Sequence, residues 1–105
     1  MPNQVEIGQV GERIVAHELA TKGYRTNIDT KAPGSTDIEA RGTNAGLLVQ
    51  VKTATSPNSP PAISGDEERN IKSRAIRLGF EAWEAKVQVD ARLNLVGAIG
   101  WRKLN

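Results

Sequence analysis

Asp37 opens the run Asp37-Ile38-Glu39-Ala40-Arg41, and Lys52 closes the run Leu47-Leu48-Val49-Gln50-Val51-Lys52. Only a short turn separates the two, so they are expected to pair as adjacent antiparallel strands. Side chains alternate between the faces of a strand and lie opposite their partners across a pair. Leu48, Gln50 and Lys52 then share one face, and Leu47, Val49 and Val51 form the other, apolar face. A carboxylate, an amide and an ammonium near the end of a hydrophobic hairpin are costly to bury without a partner, and a metal ion or a phosphate would be such a partner. The residue types therefore point to a site that handles a cation or a phosphate.

A third acidic residue, Glu12, lies in a segment with helical periodicity. Residues 3–22 read as a helix that stops at Gly23, a favourable left-handed cap. At about 100° per residue, Glu12 falls with Gly8, Val15, Ala16 and Leu19 on one apolar face, while Ile7, Val10 and Ile14 make a second stripe on roughly the opposite side. One stripe is enough for a surface helix. The second predicts burial on two sides or contact with a partner subunit. A carboxylate flanked by Val15, Ala16 and Leu19 is expected to be directed at a cation or a hydrogen-bond donor.

The remaining elements follow from the pattern. Residues 24–29 read as a strand, and Pro33-Gly34 marks a turn in the loop 30–36. The run Ser56-Pro57-Asn58-Ser59-Pro60-Pro61 is a loop by composition, placed beside Lys52 and expected to be mobile. Ser64 and Glu67 fit a capping box, with Asp66, Glu67 and Glu68 in the favourable first turn of a helix reaching Gly79. On it Ile71, Ala75 and Leu78 are expected to face the core, and Arg69, Lys72, Arg74 and Arg77 to spread over the remaining surface. Residues 83–89 alternate as a half-buried strand, and residues 93–101 are expected to form the last one. Trp83 and Trp101 fit strand core positions, and His17 fits the surface.

The order Glu12, Asp37, Gln50-Val51-Lys52 resembles the active-site pattern of the PD-(D/E)XK, or restriction-endonuclease-like, nuclease superfamily, in which an Asp is followed on the next strand by (Glu/Gln)-x-Lys. The segment Gly8-x-x-Gly11-Glu12, through Leu19 to Gly23-Tyr24, is similar to the opening helix of small archaeal Holliday junction resolvases and of short bacterial endonuclease-like proteins. Asp37-Ile38-x-Ala40 and Val49-Gln50-Val51-Lys52 also resemble the catalytic domain of Mrr-type restriction enzymes, where Gln commonly takes the acidic position. Thr36 precedes Asp37 where the family has Pro, and Gln50 stands where it has its second carboxylate.

That resemblance implies an α/β domain with a mixed, mostly antiparallel central sheet flanked by helices, in the order αβββαββ. It also implies a metal-dependent DNA endonuclease. Phosphodiester hydrolysis needs a hard cation such as Mg²⁺ or Mn²⁺ to neutralise the phosphate and activate water. The expected oxygen ligands are the Asp37 carboxylate, the Val51 main-chain carbonyl, Glu12 and the Gln50 side chain. Lys52 would hold the attacking water or stabilise the pentacovalent charge. Ser35 and Thr36 beside Asp37, with Arg69 and Lys72, are the candidate DNA contacts. Gln50 in place of Glu removes one negative charge from the ligand set but keeps a carbonyl oxygen. The rival expectation is a nuclease-fold module that binds nucleic acid or protein with little or no catalysis.

Composition sets the outer bounds. The chain has 105 residues, 38% of them apolar, enough for one modest core, and residues 1–105 are expected to form a single domain. Selectivity for junctions is preferred to sequence recognition because no recognition module is evident. One site per domain means that cutting both strands takes two copies, so a homodimer is expected. The net charge is only +2, from 14 basic and 12 acidic residues, and the excess lies after Lys52. Bulk charge therefore gives weak support for a nucleic-acid partner. With no cysteine, disulfides and thiolate metal sites are excluded. No apolar run approaches membrane-spanning length and no basic leader opens the chain, so a cytoplasmic protein is expected.

Overall fold

The computed structural model describes residues 2–29 and 37–105, with Asp29 and Asp37 at the level of the backbone only. The elements are α1 (Gln4–Thr21), β1 (Arg25–Asp29), β2 (Asp37–Arg41), β3 (Gly46–Thr55), α2 (Gly65–Leu78), β4 (Glu81–Val89) and β5 (Gly100–Lys103). One five-stranded sheet runs in the order β1-β2-β3-β4-β5. Its first three strands form an antiparallel meander, β3 and β4 are parallel, and β5 returns antiparallel to β4. A parallel pair needs a crossover connection, and α2 supplies it. The fold is the expected αβββαββ arrangement.

Each helix covers one face. Ile7, Val15 and Leu19 of α1 pack on Ile38, Ala40, Leu47, Val49, Ala85, Val87 and Val89. Ile71 and Ala75 of α2 pack with Leu48, Ile63, Ala82 and Leu104. Alternation along β2, β3 and β4 thus sends Ile38, Val49 and Ala85 toward α1, and it leaves positions 37, 50, 52, 84 and 86 on the face of α2.

Both helices begin with the caps their sequences call for. Asn3 Oδ1 accepts the N–H of Glu6 at 2.8 Å, and Ser64 Oγ accepts that of Glu67 at 3.1 Å. In both caps the glutamate returns a bond to the cap backbone. α2 stops at Gly79, whose φ of 72° is the left-handed conformation glycine tolerates best.

Four expectations are corrected. The two stripes foreseen on α1 are flanks of a single ridge. Ile7, Gly11, Val15 and Leu19 are buried, and Val10, Ile14 and Ala16 pack beside them. Residues four apart drift by about 40° around a helix, so the ridge slants and draws members from both stripes. For the second stripe, expected either to be buried on two sides or to meet a partner subunit, Ile7, Val10 and Ile14 pack within the chain. Leu78, expected in the core, has 48% of its surface exposed. The helix ends directly after it, and Phe80 packs against that cluster instead.

The last strand is shorter than expected. Asp90 folds the chain into a turn by accepting the N–H groups of Arg92 and Asn94 at 2.9 and 3.0 Å, and Leu93 has a positive φ of 66°. Pairing is therefore limited to an isolated bridge at Leu95 before β5 begins at Gly100. The proline-rich loop, expected to be mobile, is tied to β4: Ser56 N–H donates to Val89 O at 2.7 Å, and Gln88 Nε2 to Asn58 O at 2.8 Å. The tryptophans are half-buried against the α1 core with their rings edge-on at 6.3 Å, and His17 is exposed.

Candidate active site

A single cross-strand row gathers most of the site. Asp37 of β2 is the register partner of Gln50 on β3, Gln50 of Glu84 on β4, and Glu84 of Arg102 on β5. The next row on the same face pairs Lys52 with Lys86. Gln50 and Glu84 are 4% and 1% exposed. A buried amide beside a buried carboxylate on adjacent central strands is tolerated only where the neighbourhood is polar.

Glu84 is fully engaged. Its Oε2 accepts the N–H of Ile63 at 3.0 Å, and its Oε1 accepts Arg102 Nε at 3.0 Å. Burial opposes its charge, but the bonds from Arg102 and Ile63 prevail and hold its pKa below the usual glutamate value. Arg102 is pushed upward by the hydrogen bond and charge of Glu84. Its guanidinium also approaches Glu68 of α2 at 3.4 Å, and Glu68 in turn meets Lys72 at 3.4 Å. These contacts fasten the loop before α2, the first turn of α2 and β5 to one buried carboxylate.

Lys52 is held from the helix side. Its Nζ donates to Glu67 Oε2 at 2.8 Å, in a pair whose side chains are 21% and 23% exposed. Burial works against the charged form of Glu67, yet the bonds from Lys52 and Ser64 outweigh it and lower its pKa. Arg69 is paired with Asp66. Ser35 and Thr36 lie outside the described residues.

Glu12 is half-buried on the helix that covers the opposite face. Its level along β3 is nonetheless that of the site, because the preceding Gly11 rests on Thr53, the neighbour of Lys52. A Cβ at Gly11 would stand 2.9 Å from that of Thr53, so only glycine permits this approach. Thr53 Oγ1 is buried there without a hydrogen-bond partner among the described residues. The register thus puts positions 37, 50 and 52 on one face of the sheet, with Glu12 level with them on the helix that covers the opposite face. Among the described residues no three His, Asp or Glu side chains are gathered around one point. Directly opposed residues in an antiparallel pair have Cβ atoms about 4.5–5.5 Å apart, which suits two oxygen donors sharing one hard cation. Oxygen donors of the carboxylate and amide types would suit a hard cation such as Mg²⁺ or Mn²⁺.

The pairing of Glu67 with Lys52 and of Glu84 with Arg102 is not readable from the sequence. The capping box exposed the place of Glu67 on α2, but nothing local could show it reaching Lys52. Glu84 reads as the polar half of an alternating strand until the parallel register of β3 and β4 is known.

No family model matches the chain, and no curated protein does. Among solved structures it is similar to Hjc, a Holliday junction resolvase from the archaeal hyperthermophile Archaeoglobus fulgidus. The TM-score is 0.68 at 23% identity, over 92% of this chain and 72% of that one. The chain shares the fold of that structure.

Proposed function

We propose that this protein is a divalent-metal-dependent endodeoxyribonuclease that selects DNA by structure, as a junction resolvase does. The observation that carries the reading is the register of Asp37 opposite Gln50, with Lys52 two residues on, on one face of a fold shared with a Holliday junction resolvase. In this reading Asp37, the Gln50 side-chain oxygen, the Val51 carbonyl and Glu12 hold Mg²⁺ or Mn²⁺. When bound, the ion neutralises the phosphate and lowers the pKa of water. Lys52 donates to the attacking water or to a phosphate oxygen whose charge grows in the transition state. Ser35 and Thr36 meet the DNA backbone next to Asp37. Arg69 and Lys72 do so from α2, where a phosphate would displace Asp66 and Glu68 from their ion pairs.

Residues 1–105 act as one domain in this reading, two copies serve the two strands of a junction, and the protein works in the cytoplasm. No helix among the described residues is long and apolar enough to cross a membrane. A second reading, a nucleic-acid-binding module with weak or absent catalysis, is favoured by the neutral Gln50 and by the engagement of Lys52 with Glu67.

Incubating the purified protein with a synthetic four-way junction and with supercoiled plasmid, in Mg²⁺ or Mn²⁺, separates the two. The nuclease reading requires metal-dependent cutting that Lys52→Ala removes while DNA binding persists, because that lysine acts mainly in the transition state. Binding without cutting on every DNA form leaves the second reading in place.

A further inference from the structure

An ammonium group has three donors. Lys52 gives one of them to Glu67 Oε2 at 2.8 Å, which among the described residues leaves two. The partner is itself anchored: Glu67 Oε1 accepts the N–H of Ser64 at 3.0 Å, and Glu67 N–H donates to Ser64 Oγ at 3.1 Å. The helix cap therefore fixes the carboxylate that meets Lys52. Among the described residues of its own sheet, the carboxylate one row back on this face, Glu84, is already engaged by Arg102 and the Ile63 N–H. Gln50, two residues back on the same face, is neutral, and Lys86, its register partner on β4, is another cation. Like charges directly opposed across strands repel, so an anion beside Lys52 offsets the charge of Lys86.

We propose that Glu67 is a positioning residue for DNA cleavage. From α2 it balances and orients the Lys52 ammonium, a task the neutral Gln50 cannot perform, and it leaves two N–H donors free for water and a phosphate oxygen. This inference rests on the nuclease reading for its consequence, though not for the pairing itself. A lysine on a flexible four-carbon stem otherwise samples many rotamers. Holding it beforehand removes that search from the chemical step.

The test is Glu67→Gln, measured in two ways. Gln is accepted at the third position of a capping box, so the α2 cap persists while the charge facing Lys52 disappears. The melting temperature should stay close to that of the wild type. In junction cleavage the expected result is a fall in kcat of about tenfold or more with KM and DNA affinity unchanged. The second measurement needs no activity: limited acetylation with acetic anhydride, read by mass spectrometry at Lys52 against the more exposed Lys22 and Lys103. Lys52 should be protected in the wild type and lose that protection in Glu67→Gln. Equal acetylation of Lys52 in both proteins overturns the inference whatever the cleavage result. Unchanged or faster cutting by Glu67→Gln overturns it as well, because Glu67 would then restrain Lys52 rather than position it. A wild type inert on all DNA defeats the nuclease reading, and acetylation alone then decides whether Glu67 holds Lys52.

Discussion

The α1 face of the sheet and the α2 face share the same strands yet are built for different purposes. Under α1 the inward residues are Ile38, Ala40, Leu47, Val49, Ala85, Val87 and Val89, all buried and all apolar. Under α2 the same strands place Leu48 and Ala82 at one end, then Gln50 and Glu84, then Lys52 and Lys86. Area removed from water stabilises the first face, at about 25 cal/mol per Å² of apolar surface. The second face trades part of that gain for charges whose neutrality depends on Arg102 and Glu67. In the proposed reading the alternation of a single strand separates stability from chemistry, and substitutions one residue apart should have unlike effects.

The largest effect is expected on the apolar face. Ile38 is fully buried, so Ile38→Ala should cost roughly 2–5 kcal/mol. A denaturant midpoint close to that of the wild type would show that α1 does not cover the main core. Next comes the polar anchor. Glu84→Ala strands the N–H of Ile63 and removes the partner of Arg102, at a cost of roughly 2–3 kcal/mol. Because Arg102 stays about half exposed, this loss should fall short of the Ile38 one.

Glu84 also predicts the sign of a pH effect. Its folded-state pKa is depressed, so its contribution is fully present above the unfolded-state value, about 4.3, and disappears as pH falls through the lower folded value. The stability gap between wild type and Glu84→Gln should therefore be widest near neutrality and narrow below about pH 4. A gap independent of pH would mean that Glu84 is not a charged partner of Arg102.

Smaller effects probe how the two faces are joined. Gly11→Ala forces α1 away from Thr53, which should cost about 1–3 kcal/mol. It should also shift Glu12 relative to Lys52. Gln50→Glu restores a carboxylate in the ligand row but sets it in register with the buried Glu84. Metal-free Gln50→Glu should lose up to about 1 kcal/mol by like-charge opposition. Added Mn²⁺ should then raise its melting temperature more than that of the wild type, because binding to the native state alone is stabilising. Equal responses to Mn²⁺ would place the ion away from position 50.

Much of this division was legible in the sequence because a two-residue period and a short turn leave little freedom. Once residues 37–41 and 47–52 are read as a hairpin, Asp37, Gln50 and Lys52 fall on one face and Val49 and Val51 on the other, as found. The α1 ridge was less legible. Helical positions cover a continuous arc, and assigning Ile7 and Val15 to different stripes ignored a slant that only packing reveals. Residues 93–101 alternate like a strand, yet Asp90 and two residues at positive φ, Leu93 and Gly97, turn that segment out of the sheet. Glu67 and Glu84 were illegible for a different reason: their partners, Lys52 and Arg102, are distant in the chain.

The most direct measurement compares two adjacent residues of β2 in the same assay: cleavage of a four-way junction with Mn²⁺ by Asp37→Ala and by Ile38→Val. Asp37→Ala should melt with the wild type and cut nothing. Ile38→Val should lose about 0.5–1.5 kcal/mol of stability and, well below its melting temperature, cut at the wild-type rate. Wild-type cutting by Asp37→Ala would contradict the assignment of the active site to the α2 face.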